Sequence, residues 1–326
     1  CISEVSVKDH IYPVLALPLQ LIPDKWLIKP LPNAHFLPFY HLVSDDPPPH
    51  VKHLYSVIGF EDFKIQLDGL LKHFEAVSMK TLIQVVKSGE PPSKPMMHLT
   101  FDDGLKESVE IADILHKKGI PATFFLNTAF IGGKDAMYRY KASLIIETIE
   151  TLIKEGKTSV LNERIFSGVG KDTLLEMNYS DSELLNDMME QLELSSDFSG
   201  IYMDEQEIRK LIEQGFEIGG HSLDHPDFSQ ITLQEQKKQV KENMDFLESK
   251  FNMRHRTFAF PFTDYGVSRE LLHWMRDEVK LDLIFGTAGL KMIEDNMLLQ
   301  RFPMELYGMK NVSTEYFYFY LKQWFG

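Results

Sequence analysis

The chain has 326 residues, 44% of them apolar, so it can bury a sizeable core in one large domain or two smaller ones. Its formal net charge of −14 argues against a nucleic-acid partner, because proteins that bind a phosphate backbone gather positive charge. The single cysteine, Cys1, excludes an internal disulfide and a cysteine-ligated zinc site, so any metal must be held by histidines and carboxylates.

The N-terminal region, up to about residue 49, is rich in proline. This composition predicts extended chain packed on a folded body, with residues 1–35 as an N-terminal extension. Apolar residues at helical spacing then predict an amphipathic helix from Phe60 to Phe74. No apolar stretch is long enough for a transmembrane helix. Cytoplasmic and cell-envelope locations both remain open, as does the oligomeric state.

Short apolar strands and amphipathic helices alternate from about residue 96 onward. Strands are predicted at residues 96–101, 122–126, 216–219, 257–260 and 283–285, and helices at residues 105–118, 204–215, 232–251 and 268–275. This alternation predicts an α/β fold with a parallel sheet and crossover helices. A closed barrel and an open doubly wound sheet both fit it. The open sheet of a nucleotide-binding protein is less favoured, because no glycine-rich phosphate loop follows any of these strands.

Residues 134–200 interrupt the alternation. They are rich in charge, carry apolar residues at helical spacing and lack a clear strand. We predict a helical insertion between two core strands, which either shapes a substrate groove or contacts a partner.

Two carboxylates, Asp102 and Asp103, directly follow the first predicted strand of this series and precede Gly104. Active sites of parallel α/β folds gather at the carboxyl ends of strands. Adjacent carboxylates repel each other there unless a cation or a division of roles relieves them. The pair is therefore a candidate catalytic element. The alternative is a solvated Asp-Asp-Gly turn that caps the following helix.

A histidine pair, His221 and His225, follows another predicted strand. The spacing lets both imidazoles reach one ion if the backbone turns once between them. Two histidines and one carboxylate leave zinc an open position for water, as a hydrolytic metal site requires. Alone, the pair could be two unrelated surface histidines, but together with the Asp-Asp pair it completes a ligand set.

The sequences TFDDG at residues 100–104 and HSLDH at residues 221–225 resemble two motifs of the NodB-homology polysaccharide deacetylases, carbohydrate esterase family 4. The resemblance runs from about Phe36 to Pro303. It implies a single deacetylase domain over residues 1–326, folded as a distorted (β/α)7-type barrel rather than an open sheet.

The same resemblance assigns roles to the motif residues. It implies that Asp102 is the catalytic base and that a divalent metal is bound by Asp103, His221 and His225. Zinc is the default ion, and cobalt, nickel or iron also suit two imidazoles and one carboxylate. This division of roles between Asp102 and Asp103 is chemically reasonable, because a carboxylate that does not bind the metal stays free to take a proton from the attacking water.

The third family motif is only partly present. An arginine usually precedes its Pro-aromatic pair, whereas this chain reads FAFPF at residues 258–262. The Pro261-Phe262 pair remains, and the Phe262 N–H is predicted to stabilise the oxyanion. Arg301 is a candidate to replace the missing arginine.

The general acid must also come from an unusual place. The family's C-terminal motif supplies a histidine, and residues 298–303 contain none. Phe39-Tyr40-His41, however, resembles the Tyr-His motif of the circularly permuted deacetylases that act on poly-N-acetylglucosamine. This likeness implies His41 as general acid. The alternative for His41 is a structural role, as a hydrogen-bonded histidine beside an aromatic strand. A structural role is also predicted for His98.

The sequence thus predicts metal-dependent hydrolysis of N-acetyl groups from amino-sugar residues of a polysaccharide or its precursor. The predicted partner is that carbohydrate substrate. A deacylase acting on another amide, such as a formyl group, would use the same residues. A catalytically inactive carbohydrate-binding barrel is the other alternative, suggested by the missing arginine and C-terminal histidine.

Overall fold

The computed structural model describes residues 35–305, except residues 91, 93, 163, 167 and 291–296, and also describes residue 313. The predicted N-terminal extension therefore lies almost wholly outside the described residues. Within the described part of the chain, no helix is both long and apolar enough to cross a membrane.

Eight parallel strands form the central sheet. In chain order these are β2 (Pro38–Tyr40), β5 (Leu99–Phe101), β6 (Ala122–Leu126), β7 (Glu217–Gly220), β8 (Thr257–Ala259), β9 (Leu283–Gly286), β10 (Leu298–Gln300) and β11 (Phe302–Pro303). Their spatial order is β10-β9-β8-β7-β6-β5-β2-β11. A second sheet of three short parallel strands contains β1 (His35–Phe36), β4 (Met96–Met97) and β3 (Glu75–Ala76).

The central sheet closes almost completely on itself. Its two edge strands, β10 and β11, are consecutive in the chain and are separated only by Arg301. β10 pairs with β9, while β11 pairs with β2, the first strand of the sheet in sequence. One bent segment therefore forms both edges, and counting it as a single strand leaves seven. The predicted α/β barrel is confirmed, and the open sheet is excluded.

Helices connect the strands. They are α1 (Phe60–Leu71), α2 (Met79–Ser88), α3 (Ser108–Lys118), α4 (Tyr138–Lys154), α5 (Lys171–Glu176), α6 (Ser182–Gln191), α7 (Glu205–Glu213), α8 (Leu233–Phe251) and α9 (Arg269–Asp277), with short 3-10 turns at Ser159–Asn162, Arg164–Phe166, Tyr179–Asp181 and Phe228–Gln230. The five helices predicted outside the insertion are present to within a few residues. Helix α2 was not predicted.

The predicted strand at residues 96–101 is divided at His98. Its first half pairs in the small sheet and its second half in the barrel. The His98 side chain is buried, with Nδ1 2.7 Å from the Val77 carbonyl and Nε2 2.8 Å from the Thr123 hydroxyl. His98 therefore links the small sheet to the barrel, as expected of a structural histidine.

Helices α4, α5 and α6 occupy the interval of the predicted insertion, between β6 and β7. Their buried apolar residues form a cluster separate from the main barrel core. This cluster also includes Leu42, Leu105 and Phe130, which lie in loops that follow barrel strands. The insertion thus packs on the end of the barrel where the strands terminate.

Asp204 begins helix α7 with a reciprocal cap. Its carboxylate accepts hydrogen bonds from the N–H groups of Gln206 (2.8 Å) and Glu207 (2.9 Å), and the Glu207 carboxylate accepts the Asp204 N–H (2.9 Å). We expect Asp204→Ala to lower the free energy of unfolding by about 1 kcal/mol, measured by urea denaturation. Asp187→Ala is the matched control, at an exposed position of helix α6, with an expected change below about 0.5 kcal/mol. Equal losses in both variants would contradict a stabilising cap.

Candidate active site

Every predicted site residue lies just beyond the carboxyl end of a barrel strand. His41 follows β2, the Asp-Asp pair follows β5, the histidine pair follows β7 and Phe262 follows β8. Because all of these strands are parallel, their carboxyl ends meet at one end of the barrel. The fold therefore brings the predicted residues to the same place.

Asp103, His221 and His225 form a buried cluster whose ligand atoms lie within 4.8 Å of one another. Asp103 Oδ1 is 3.4 Å from His221 Nε2 and 3.2 Å from His225 Nε2. His221 Nδ1 is 2.8 Å from the Ala259 carbonyl, which can only accept a hydrogen bond, so Nδ1 carries the proton. In the neutral imidazole, His221 Nε2 then presents a lone pair to the cluster.

The cluster fits a divalent metal. Asp103 Oδ1 is buried and accepts no hydrogen bond from any described residue. Four ligands at about 2.0–2.1 Å in a tetrahedral site stand about 3.3 Å apart, close to the separations found here. Burial lowers the pKa of His225 despite the nearby Asp103, which favours the neutral imidazole that metals bind. Burial raises the pKa of Asp103, but its contacts with His225 and His221 outweigh this effect and hold the pKa well below its usual value.

Asp102 is paired with Arg301. The guanidinium donates two hydrogen bonds to the carboxylate, from Nη1 to Oδ1 (2.6 Å) and from Nη2 to Oδ2 (2.7 Å), and Nη1 also contacts the Thr100 hydroxyl at 3.1 Å. Arg301 is fully buried, with its guanidinium carbon 4.6 Å from the ring centre of Phe39 and 5.3 Å from that of Phe125. Burial raises the pKa of Asp102, but Arg301 outweighs this effect and lowers it overall. Arg301, the candidate for the arginine missing from the third motif, thus contacts the carboxylate of Asp102 directly.

His41 is paired with Glu305, a residue that the sequence reasoning missed. His41 Nδ1 donates to Glu305 Oε2 (2.8 Å), while Oε1 accepts the backbone N–H groups of His41 (2.5 Å) and Leu42 (2.8 Å). The His41 side chain is 28% exposed, whereas Glu305 is buried. Burial lowers the pKa of His41, but the charge and hydrogen bond of Glu305, with smaller contributions from Asp103 and Asp102, raise it to about 10. The sequence feature that could have indicated Glu305 is its position as a carboxylate just after the last strand.

Phe262 is the centre of a tight three-residue turn, in which the Thr263 N–H donates to the Pro261 carbonyl at 2.5 Å. Its φ of 53° lies in the left-handed region, which is costly for a residue with a bulky side chain. No described residue accepts the Phe262 N–H. The Phe262 ring packs edge-on against the His225 imidazole, with ring centres 4.5 Å apart. The Phe262 side chain therefore lies beside the metal-ligand cluster.

Left-handed backbone recurs in the site. Besides Phe262, both Asp103 (φ 69°) and His225 (φ 61°) adopt it. Strained conformations of non-glycine residues cluster at functional sites, where the surrounding structure enforces them. Aspartate and histidine adopt this conformation more often than most non-glycine residues, whereas a phenylalanine gives no sign of it in the sequence.

Polar residues outside the motifs hold the 221–225 loop. The buried Asn243 side chain donates to the Ser222 carbonyl (2.6 Å), and Gln239 accepts the N–H groups of Leu223 (3.0 Å) and Asp224 (3.2 Å). Both amides come from helix α8. The sequence did not reveal these two contacts. The apolar pattern of helix α8 indicates that one face of the helix is buried, but it does not indicate which polar residues on that face contact a loop.

Comparison with known proteins identifies the family. The family description "Polysaccharide deacetylase" matches residues 89–273, more than half of the chain. No curated protein sequence matches.

Solved structures share the fold at low sequence identity. The deacetylase PplD of Streptococcus pyogenes, solved in complex with acetate, aligns over 87% of this chain and 98% of its own, with 16% identity and a TM-score of 0.57. IcaB from Ammonifex degensii aligns over 87% and 97%, with 15% identity and a TM-score of 0.57. A de-N-acetylase from Aggregatibacter actinomycetemcomitans aligns over 86% and 98%, with 14% identity and a TM-score of 0.54. With the matched family region containing both the Asp-Asp and the His-x-x-x-His segments, the chain belongs to the polysaccharide deacetylase family.

Proposed function

We propose that the protein is a metal-dependent hydrolase that removes N-acetyl groups from amino-sugar residues of a polysaccharide or its precursor. The observation that carries the proposal is the arrangement of side chains at one end of the barrel. Three candidate metal-ligand atoms, from Asp103, His221 and His225, lie together there. Beside them lie Asp102, which is paired with Arg301, and His41, which is paired with Glu305. Membership of the polysaccharide deacetylase family supports the same reaction class.

The ligand cluster would hold a divalent ion, with zinc as the default for two imidazoles and one carboxylate. When bound, such an ion acts as a Lewis acid that polarises the attacking water and the amide carbonyl. Asp102 is proposed to accept the proton of that water. Its contacts with Arg301 keep the carboxylate ionised and fix its orientation.

His41 is proposed as the general acid. Its Nδ1 proton is bonded to Glu305, and the raised pKa keeps the imidazole protonated at neutral pH. The Nε2 proton is then the one that His41 can give to the departing amine. The Phe262 N–H is proposed to donate a hydrogen bond to the tetrahedral oxyanion.

Removal and return of metal test the proposal. We expect acetate release from N-acetylglucosamine oligomers to cease after dialysis against a chelator and to return with Zn²⁺. A formylated analogue assayed in parallel measures the preference between acyl groups. If metal-loaded protein releases no acetate from any N-acetylhexosamine substrate, and Asp102→Asn changes nothing, the proposal is wrong and a binding-only barrel is favoured.

Metal stoichiometry supplies a matched control. A second cluster, formed by His53, Glu147 and Glu150, also has ligand atoms close enough together to bind a metal. Two of these residues already contact lysine ammonium groups: Lys52 lies 2.7 Å from Glu147, and Lys171 lies 3.0 Å from His53. The ammonium groups therefore compete with a metal ion for these ligands. His221→Ala is expected to lose the bound zinc and His53→Ala to keep it. The reverse result would move the metal site to the second cluster.

A further inference from the structure

A tyrosine from the insertion reaches the candidate metal site. Tyr140, in the first turn of helix α4, is fully buried, and its hydroxyl donates a hydrogen bond of 2.6 Å to Asp103 Oδ2. Nothing in the family motifs of the sequence pointed to this residue. Its contact makes the insertion a direct neighbour of a metal-ligand carboxylate.

The two oxygens of Asp103 have different surroundings. Oδ2 is taken by the Tyr140 hydroxyl, whereas Oδ1 faces the Nε2 atoms of His221 and His225 and accepts no hydrogen bond from any described residue. A free carboxylate can rotate and bind a metal through either oxygen or through both. A carboxylate with one oxygen already bonded presents the other alone, and so takes one coordination position rather than two.

Tyr140 is itself held firmly. Its ring packs edge-on against His50, with centres 5.1 Å apart, and tilted against Tyr202 at 6.2 Å. The Tyr55 hydroxyl is 3.3 Å from the Tyr140 hydroxyl. Tyr140 has a single proton, which it donates to Asp103, so Tyr55 is the donor in that second contact. The Tyr55 ring in turn lies 5.3 Å from the His41 imidazole.

These contacts give a directed chain of hydroxyls from Tyr55 through Tyr140 to Asp103. This series of hydroxyls begins at Tyr55, beside the candidate acid His41, and ends at the candidate metal ligand Asp103. It connects the loop after β2 with the insertion. Groups that hydrogen-bond to metal ligands fix ligand orientation, and their loss typically weakens metal binding.

We propose that Tyr140 is a positioning residue that restricts Asp103 to one metal-binding oxygen, and that the insertion thereby forms part of the metal centre. This inference rests on the proposed function, because it requires that Asp103, His221 and His225 bind a divalent ion. Tyr140 is not proposed to contact the substrate.

Cobalt substitution tests the inference without an activity assay. Four-coordinate Co²⁺ absorbs visible light much more strongly than Co²⁺ of higher coordination number, so its spectrum reports how many ligand atoms surround the ion. We expect wild-type protein to give the strong four-coordinate spectrum. In Tyr140→Phe, Asp103 is free to bind through both oxygens, so the band should weaken and the dissociation constant for Co²⁺ should rise about 10- to 100-fold.

Tyr138→Phe is the matched control. Tyr138 lies two residues earlier in the same helix, is also buried, and its hydroxyl makes no hydrogen bond to a described residue. Its spectrum and Co²⁺ affinity should equal those of the wild type. An unchanged spectrum and affinity in folded Tyr140→Phe would overturn the role of Tyr140 while leaving the metal site intact. Failure of the wild-type protein to bind Co²⁺ would instead overturn the proposed function.

A second measurement covers the case in which Tyr140→Phe does not fold. A crystal structure of the zinc-loaded wild-type protein should show Asp103 bound through one oxygen, with the Tyr140 hydroxyl on the other. Asp103 binding zinc through both oxygens would contradict the inference.

Discussion

Replacing Asp102 by asparagine is expected to lower kcat for acetate release by about 10²- to 10⁴-fold, the range typical of a positioned general base. The asparagine amide cannot take a proton from the attacking water. It keeps one oxygen that can accept a hydrogen bond from Arg301, so the local arrangement is largely retained. The measurement is steady-state turnover of an N-acetylglucosamine oligomer by zinc-loaded protein.

Asp103→Asn is the matched comparison, because the two aspartates are adjacent and both are buried. Asp102→Asn should keep its stoichiometric zinc, since Asp102 lies outside the ligand cluster, whereas Asp103→Asn should lose affinity for zinc. Loss of zinc in Asp102→Asn and retention in Asp103→Asn would show that the roles of base and ligand are reversed.

Stability has to be measured in the same variant. Removing the carboxylate charge leaves the buried Arg301 guanidinium without its counter-ion, and breaking a buried ion pair from one side typically costs about 3–5 kcal/mol. The retained amide oxygen should reduce this cost. Turnover is therefore compared below the unfolding transition of the variant, so that lost activity reports chemistry rather than unfolding.

The parts of the site that could be predicted from sequence are those in which the chemistry is local. Asp102 and Asp103 are neighbours in the chain, and His221 and His225 share one loop, so each pair can be recognised from a few residues at the end of a strand. Parallel strand direction then suffices to bring the two segments to one end of the fold.

The partners of these residues depend on contacts between distant parts of the chain. Arg301 and Glu305 reach Asp102 and His41 only because the barrel closes, which brings β11 beside β2. No local pattern encodes that pairing, although the arginine missing from the third motif makes Arg301 a candidate substitute.

The insertion shows the same limit at a helix. Apolar spacing predicted helical structure there, but Tyr140 could not be chosen from among the aromatic residues of the segment. Its role depends on how helix α4 is rotated against the barrel end. The division of the predicted strand at His98 was likewise invisible, because six apolar-rich residues in a row read as one strand whether they serve one sheet or two.

Replacing His41 by glutamine is expected to lower kcat by about 10²- to 10⁴-fold without loss of zinc, because an amine leaving group needs a proton and the glutamine amide is not acidic enough to supply one. His41 lies outside the ligand cluster, so metal content is the internal control. Zinc loss in His41→Gln would indicate a ligand rather than an acid. Unchanged turnover with zinc retained would leave His41 as a structural histidine beside an aromatic strand.

Glu305→Gln tests what sets the protonation of His41. The pKa of His41 is raised to about 10, so the protonated acid persists through neutral pH and is lost as the pH rises through that value. The stability gained from the His41–Glu305 contact follows the same sign: it is fully present below about pH 6.5, the ordinary histidine value, and is lost as the pH rises toward 10. Glutamine can still accept the backbone N–H groups of His41 and Leu42 but carries no charge.

Burial alone lowers the pKa of His41, so removing the Glu305 charge should move the alkaline limb of the kcat–pH profile downward by about 1–3 units. Zinc content and the acidic limb should stay as in the wild type. If the alkaline limb does not move in Glu305→Gln, while His41→Gln is inactive and retains zinc, the limb belongs to another group.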